Sequence, residues 1–383
     1  MGTQTVIRTS REILRHYESY RAGVFTQRRF SPETLYKTLD ETVNNTASVC
    51  SMCMPGRSFE GRPINMVCAG TGKIRVLLWS QMHGDESTAT MAIVDILNYI
   101  SKDRDENPVK QILSELTLWF IPMLNPDGAF RFQRRTAQGI DMNRDALALC
   151  TPEAKLLKQL RDEIAPEFGF NLHDQELSTV GTSKELAAMG LLAPAFNPDK
   201  SDNEVRLRAK HLASCFAAVM KEYIPGKVTR YDDAFEPRAF GDNMQKWGTS
   251  TLLIESGHAL NDPEKSSIRK LNVAGILTCC HAIASGGYRS FGRSAYEDLP
   301  PNGKKAYDVI IRNVLIEHPG GERTASDIAV SYQVDTHSES TPLLVDVGDL
   351  HTFTGVEEVE GKAKHILQSM LQIGKPFRWE ELF

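Results

Sequence analysis

Four short, nearly continuous apolar runs constrain the fold of this chain more than any other feature of its sequence. Runs of this length, rich in large apolar side chains, are typical of strands buried on both faces. The runs are residues 75–81, 116–124, 168–172 and 251–254. Segments with helical apolar spacing lie between and after them, at about 89–100, 151–164, 202–224 and 265–285. This alternation predicts an α/β domain with a mixed, largely parallel central sheet flanked by helices.

Two further regions flank this predicted domain, which we place at residues 31–287. Residues 1–30 have the pattern of a polar helical arm, and Ser31 then caps a helix that has Pro32 at its first position. Residues 288–383 differ in pattern. Strands are predicted there at 306–316, 326–334 and 343–347, and a helix at about 362–372. We therefore expect a small β-rich C-terminal domain.

Charge and composition exclude several classes of partner. Lys and Arg total 44 and Asp and Glu total 49, giving a net charge of −5, so neither a nucleic acid nor an anionic membrane is expected as a partner. The longest mostly apolar stretch, 186–196, is too short to span a bilayer. The N-terminus lacks the apolar core of a signal peptide, so a cytoplasmic location is expected. The seven cysteines include one Cys50-x-x-Cys53 pair and no second such pair, which favours reduced thiols over a structural zinc site.

Polar or ionisable residues follow all four apolar runs. His83 and Glu86 come after the first run and Asn125 after the second, while His173 and Glu255 follow the third and fourth directly. Ligands of open α/β sheets bind at the carboxyl ends of the strands. These side chains are therefore expected to meet at one edge of the sheet.

His83, Glu86 and His173 together form a candidate zinc site. The first two are three residues apart at a strand-to-helix junction, where their side chains can converge. An H-x-x-E pair alone is common by chance, but a third ligand at an equivalent strand end favours the metal interpretation. Two imidazoles and one carboxylate are typical of catalytic zinc, with the fourth position open. One Zn²⁺ per chain is predicted.

Other polar residues suggest how such a site would work. Glu255 would serve as the base that takes a proton from water, the alternative being a glutamate in a surface loop. Asp141 is a candidate for orienting a metal-binding histidine from behind. Cationic and amide side chains lie between the second and third ligands, and they favour capture of an anionic group over a solvated basic loop. They are Arg134, Arg135, Asn143 and Arg144.

Taken together, these residues resemble the zinc carboxypeptidases of the carboxypeptidase A and B type. The resemblance covers roughly residues 31–285. It rests on six segments in the family's order, which are Gly56-Arg-Ser-Phe-Glu-Gly-Arg-Pro-Ile64, His83-x-x-Glu86, Asn125-Pro-Asp-Gly128, Gly139-Ile-Asp-Met-Asn-Arg144, His173 and Glu255.

The resemblance implies a role for each matching residue. His83, Glu86 and His173 would bind zinc, and Glu255 would act first as base and then as acid. Arg134 would polarise the scissile carbonyl. Asn143 and Arg144 would hold the substrate's terminal carboxylate, and Asp141 would support His83. The family also has a mobile tyrosine, for which Tyr231 is the nearest candidate, although an ordinary loop tyrosine is an equal alternative.

The chain also departs from the family pattern. Asp85 stands where digestive members often have arginine, Asp174-Gln175 replaces small polar residues after His173, and Asp145 follows Arg144 where many members have asparagine. Phe240 and Asp242 both fall in about the right region for the residue that lines the family's specificity pocket, but loop lengths differ too much to choose between them. These changes suggest a non-digestive, bacterial-type branch that acts on short or unusual amides such as cell-wall peptides.

Three functions are therefore considered. The leading one is a zinc metallocarboxypeptidase that hydrolyses a C-terminal amide bond of a peptide by zinc-activated water, with Glu255 as proton shuttle. The alternative is a zinc deacylase or amidase of small N-acyl amino acids or cell-wall peptides, similar to aspartoacylase and succinylglutamate desuccinylase. A non-catalytic binding module is the third, and the presence of Glu255 disfavours it. The expected partner is a peptide or small amide with a free carboxylate, and the oligomeric state stays open.

Overall fold

This computed structural model describes residues 2–45, 49–102, 107–334, 340–362 and 364–378. Its helices follow the predicted pattern over most of the chain. They are α1 (Thr3–Arg15), α2 (Tyr17–Tyr20), α3 (Pro32–Asn45), α4 (Thr88–Lys102), α5 (Asn107–Glu115), α6 (Pro126–Arg131), α7 (Pro152–Ile164), α8 (Glu204–Tyr223), α9 (Phe240–Lys246), α10 (Ser266–Ala284) and α11 (Ser294–Glu297). Short 3-10 turns occur at Met142–Arg144, Gly287–Ser290 and Gln368–Met370.

A strand lies in each of the four predicted apolar runs, although β3 ends at Ser80 and β4 at Ile121, before the ends of their runs. They are β1 (Cys50–Arg57), β2 (Pro63–Ala69), β3 (Ile74–Ser80), β4 (Leu116–Ile121), β5 (Phe168–Asp174), β6 (Thr179–Val180), β7 (Met189–Leu192), β8 (Val228–Arg230), β9 (Ser250–Ser256), β10 (Asn302–Gly303), β11 (Ala306–Glu317), β12 (Arg323–Val334), β13 (Ser340–Gly348), β14 (Thr354–Glu360) and β15 (His365–Leu367).

The chain divides into two compact units. The first contains residues 1–175 and 188–301, and the second contains residues 176–187 and 302–383. The domain boundaries expected from sequence, at 30/31 and 287/288, stay predictions.

A mixed eight-stranded sheet forms the centre of the first unit, which confirms the predicted fold class. Its order is β1-β2-β4-β3-β5-β9-β7-β8. The four central strands β4, β3, β5 and β9 run parallel, whereas β1, β2 and the β7–β9 pair add antiparallel contacts. The chain leaves β3 to form β4 on one side and later returns to form β5 on the other. The carboxyl end of β3 is thus a topological switch point, where open α/β sheets bind ligands.

Helices cover both faces of this sheet because alternate strand residues are apolar on each side. Phe170 and Leu172 of β5 pack into a large cluster with α4 and α10, whereas Trp79 of β3 packs on the opposite face with α7 and α9. The segment before residue 31 contributes buried apolar side chains to the larger cluster, among them Val6, Ile13, Tyr17, Tyr20 and Phe25.

The second unit is β-rich, as predicted for the C-terminal region. β13, β12, β11 and β14 form a sheet to which β15 adds through β11, around a core that includes Val314, Ile328 and Ile366. The predicted helix at 362–372 is wrong. Residues 365–367 pair with β11 in parallel and bury Ile366, so tertiary pairing outweighs local helical preference there.

None of the helices within the described ranges combines the length and the apolar character needed to cross a bilayer.

Candidate active site

The carboxyl ends of three adjacent parallel strands meet in this protein. β5 and β9 pair so that His173 lies opposite Glu255, and Ser80 at the end of β3 pairs with Leu172. Gln81 then takes a left-handed conformation, with φ of 52°, which turns the chain sharply away from the sheet and brings His83 to the same edge. The structure therefore places together the side chains that the strand-end pattern predicted to meet.

Close backbone packing makes this turn possible. Asn125 caps α6 by accepting a hydrogen bond from Gly128 N at 2.9 Å, and its amide donates to Met82 O at 3.2 Å. A methyl group on Gly84 would lie 2.0 Å from the carbonyl carbon of Gly128. Only glycine fits at residue 84, so the Asn-Pro-Asp-Gly turn acts as a support for the loop that carries His83.

The signature segment at 56–64 is a second support for the same turn. Asp127 accepts hydrogen bonds from Ser58 Oγ at 2.7 Å, from Glu60 N at 2.9 Å and from Arg62 at 2.6 Å. These contacts give both motifs a structural role, which the sequence pattern alone did not reveal.

Glu86 lies between the two histidines. Its Oε1 is 2.7 Å from Nδ1 of His83 and its Oε2 is 2.7 Å from Nδ1 of His173. All three side chains are buried, at 2%, 7% and 2% exposure for His83, Glu86 and His173. A carboxylate buried to this degree needs compensating partners, and both imidazoles provide them.

The contacts among His83, Glu86 and His173 shift the pKa values of these side chains. Burial disfavours the charged form of Glu86, but the two histidines hold its pKa well below the usual range. Burial also opposes charge on His83, yet the carboxylates of Glu86 and Asp141 raise its pKa to about 9. The pKa of His173 is lowered, mainly by burial. Because the three side chains are in direct contact, they titrate as one coupled group.

These three residues fit a zinc ion. One ligand atom from each lies within 4.8 Å of the others, and no second group of three such side chains is found in the described part of the chain. The set of two imidazoles and one carboxylate is a typical catalytic zinc set. Nε2 of His83 is 3.1 Å from Oδ1 of Asp141, which is the outer hydrogen bond that fixes a metal-binding imidazole. Nε2 of His173 is buried and has no such partner among the described residues.

Asp141 links this group to the cationic loop that follows α6. Its Oδ2 lies 3.2 Å from the guanidinium of Arg134, which also donates to Glu86 Oε1 at 3.1 Å. Although burial opposes it, the contacts with His83 and Arg134 hold the pKa of Asp141 well below its usual range. The Arg134 side chain remains 46% exposed, so it can reach a substrate. Arg135 instead points to Gly139 O, at 3.1 Å.

Glu255 lies beside His173 and is partly buried. Burial is the main cause that raises its pKa well above the usual range, and the nearby charge of Glu86 adds to it. Gly190 pairs with Glu255 across β7 and β9, and a methyl group there would be 3.2 Å from Glu255 Cβ. A carboxyl group with a raised pKa is suited to accept a proton and return it.

Asn143 and Arg144 lie on the 3-10 turn next to Asp141. Asn143 N donates to Asp141 Oδ1 at 2.9 Å, while its side-chain oxygen accepts from Phe240 N at 3.0 Å. Arg144 is 40% exposed and lies 3.5 Å from Glu236. Asn143 is thus held directly against Asp141, and Arg144 extends from the same turn toward Glu236, while their role in binding a carboxylate stays a prediction.

Tyr231 follows β8, where its N–H donates to Leu191 O at 2.9 Å. A methyl group on Gly190 would be 3.4 Å from Tyr231 Cδ2 and 3.2 Å from Glu255 Cβ. The ring is therefore close to Glu255, although its role stays a prediction.

The residues that depart from the family pattern have different surroundings. Asp145 accepts hydrogen bonds from Cys150 N and Thr151 N, both at 2.8 Å, so it shapes the start of α7. Burial, together with the charge of Glu86, raises the pKa of Asp85 to about 6. Asp242 on α9 is buried, accepts from Glu236 N at 3.1 Å and also has a pKa raised to about 6 by burial.

Two cations at this site were missed from the sequence. Lys265 and Arg28 both approach Asp174, at 3.4 Å and 3.8 Å. Neither belongs to a recognisable motif, and no sequence signal relates residue 28 to residue 265.

Residues 35–179 match the zinc carboxypeptidase family. Carboxypeptidase 2 of Trichophyton tonsurans is 28% identical over 163 residues, which cover 42% of this chain and 29% of that protein. The matched part spans about a third or less of the length of the curated relatives that this chain matches.

Solved structures share the fold. A metallo-carboxypeptidase from Burkholderia cenocepacia matches with a TM-score of 0.53 at 16% identity, over 68% of this chain and 70% of that one. Carboxypeptidase A from Helicoverpa armigera matches with a TM-score of 0.53 at 16% identity, over 74% and 81%.

Proposed function

We propose that this chain, whose residues 35–179 match the zinc carboxypeptidase family, is a zinc-dependent metallocarboxypeptidase that hydrolyses the C-terminal amide bond of a peptide. One observation carries the proposal: a buried His83–Glu86–His173 group lies directly beside a desolvated glutamate, Glu255. A metal-ligand set next to a carboxyl group of raised pKa is the minimum apparatus for metal-assisted hydrolysis of an amide.

The residues of this chain would divide the reaction among them. A zinc ion held by His83, Glu86 and His173 would supply Lewis-acid chemistry, which polarises a carbonyl and makes water more acidic. Glu255 accepts the proton of the attacking water and delivers it to the leaving nitrogen. This transfer needs a carboxyl group whose pKa lies near the working pH, and the burial of Glu255 raises its pKa in that direction.

Three side chains of the cationic loop would bind the substrate. Arg134, which is 46% exposed and contacts Asp141 and Glu86, would stabilise the negative charge that develops on the carbonyl oxygen. Arg144 and Asn143 would hold the terminal carboxylate, for which a planar guanidinium is well suited. The substrate is therefore a peptide or short amide with a free carboxylate.

The experiment compares three kinds of substrate with the zinc-loaded protein. These are a panel of peptides with free C-termini, the same peptides amidated, and a panel of N-acyl amino acids. Release of the last residue from the free peptides alone is expected, because amidation removes the charge that Arg144 would bind. Turnover of the N-acyl amino acids with none of the peptides would instead favour the deacylase, and no hydrolysis in any panel would refute both.

A further inference from the structure

The carboxylate of Asp174 joins three separate parts of the chain behind the proposed metal ligands. Asp174 follows His173 directly in the chain, and the backbone N–H of Asp174 donates to Glu86 Oε2 at 3.2 Å. Its Oδ2 accepts a hydrogen bond from Thr88 Oγ1 at 2.6 Å. Asp174 is therefore linked both to His173, through the chain, and to Glu86, through a hydrogen bond.

Lys265 provides a buried positive charge for this carboxylate. The residue is 1% exposed, and its Nζ lies 2.9 Å from Ser256 O and 3.4 Å from Asp174 Oδ2. Its backbone has φ of 51°, a conformation that L-residues rarely adopt, at the start of α10. Burying an ammonium group costs free energy unless a partner compensates its charge. The position of Lys265 at the ends of β5 and β9 therefore suggests that it has a role there.

Arg28 approaches the same carboxylate from the N-terminal segment. Its guanidinium is 3.8 Å from Asp174 Oδ2, its carbonyl accepts from Ser87 Oγ at 2.5 Å, and its N–H donates to Glu264 at 2.6 Å. Its three partners are the sequence neighbours of His173, Glu86 and Lys265, respectively. The N-terminal segment, which lies outside the part that matches the zinc carboxypeptidase family, is thus tied to both sides of the candidate metal site.

We propose that Asp174, held between Lys265 and Arg28, is a positioning residue that fixes Glu86 and His173 in the arrangement needed to bind zinc. The carboxylate anchors the peptide plane whose N–H donates to Glu86, and it thereby limits the movement of two ligands at once. Outer contacts of this kind typically change metal affinity by about 10- to 100-fold when they are removed. This inference rests on the zinc site of the proposed function.

The test measures zinc affinity by competition with a chromogenic chelator in the full chain, together with the absorption spectrum of the cobalt-substituted protein. The variants are Lys265→Met, the double variant Asp174→Asn with Lys265→Met, and a control, Lys210→Met. Lys210 is also largely buried, and it pairs with Asp202 at 2.7 Å and Glu297 at 2.8 Å, but it touches none of the proposed ligands.

The double variant separates positioning from stability. Lys265→Met alone leaves a buried carboxylate without its nearest cation and is expected to lower the thermal midpoint of the metal-free protein. The double variant removes both charges and should regain most of that stability. Its zinc dissociation constant should nevertheless stay about 10- to 100-fold above that of the wild type, with shifted cobalt bands.

The control and the wild type decide between the outcomes. Lys210→Met should lose stability while it keeps wild-type zinc affinity and the wild-type cobalt spectrum. If the double variant bound zinc like the wild type, the positioning role would be overturned and the proposed function left intact. If the wild-type chain itself bound no zinc, the proposed function would fail and this inference with it.

Discussion

His173 and Glu255 occupy the same register position on the two neighbouring parallel strands β5 and β9. One is a proposed metal ligand and the other the proposed proton shuttle, so the sheet itself fixes their spacing. Rigid strands hold catalytic groups more accurately than loops do. This pairing explains how two residues 82 positions apart in the chain can act on one bond.

Removal of one imidazole tests the metal assignment. His83→Ala should lose stoichiometric zinc, because only two ligands would remain. The zinc content is measured by atomic emission after dialysis. His211→Ala on α8, far along the chain from the proposed ligands, should keep one zinc per chain, and a His83→Ala protein that also kept it would contradict the assignment.

The proton shuttle predicts a variant that binds metal but does not turn over. Glu255→Gln should retain zinc and lose about 10²- to 10⁴-fold in kcat, as expected for loss of a general acid–base group. Because burial raises the pKa of Glu255, the wild-type rate should fall as the pH drops and the group becomes protonated. This acidic limb should be absent from the residual rate of the Gln variant, and unchanged turnover would remove Glu255 from the mechanism.

Zinc affinity should depend on pH through His83. Its pKa of about 9 means that the metal-free site carries a proton at neutral pH, and zinc must displace that proton. The apparent affinity should therefore rise by about tenfold per pH unit until about pH 9. The same proton stabilises the metal-free fold below pH 6.5, and this contribution is lost as the pH rises through about 9. Calorimetry in two buffers of different ionisation enthalpy counts the released protons, and a value of zero at pH 7 would contradict this account.

Replacing either of two neighbouring arginines, Arg134 or Arg135, with alanine should have very different effects on kcat. Arg134→Ala should lower kcat by about 10²- to 10³-fold because a donor to the developing oxyanion is lost. Arg135→Ala serves as the control, since its guanidinium points to Gly139 O and should change the rate little. Steady-state kinetics on one peptide compares the two, and equal losses would indicate a general effect of the loop's positive charge.

The buried ion pair between Arg269 and Asp95 should be important for stability. Arg269 is 1% exposed, lies 2.6 Å from Asp95, and donates to Phe25 O and Ala22 O, so it also holds the N-terminal segment. Arg269→Met leaves the buried carboxylate of Asp95 without its cation and should cost about 3–5 kcal/mol in the free energy of unfolding. Arg8→Met, which breaks an exposed pair with Glu12, should cost at most about 1 kcal/mol in the same urea titration.

Much of the site could be predicted because its residues lie at or just after the carboxyl ends of buried strands. The side chains of His173 and Glu255 belong to β5 and β9, whose apolar character is visible in the sequence. The helix predicted at 362–372 failed for the opposite reason. Its residues gain more from pairing with β11 than their local preference indicates, and that partner is about 50 residues away.

The sequence by itself determined the alternation of strands and helices, the ligand types and the edge of the sheet where they gather, because these depend on local pattern and on the direction of parallel strands. Only the tertiary structure decided which distant groups support them. Arg28, Lys265 and Asp174 come together through long-range packing of separate elements, and the same is true of Ser58 and Arg62 around Asp127. Such contacts leave no periodic trace in the chain, since a buried charge is defined by its partner in space rather than by its neighbours in sequence.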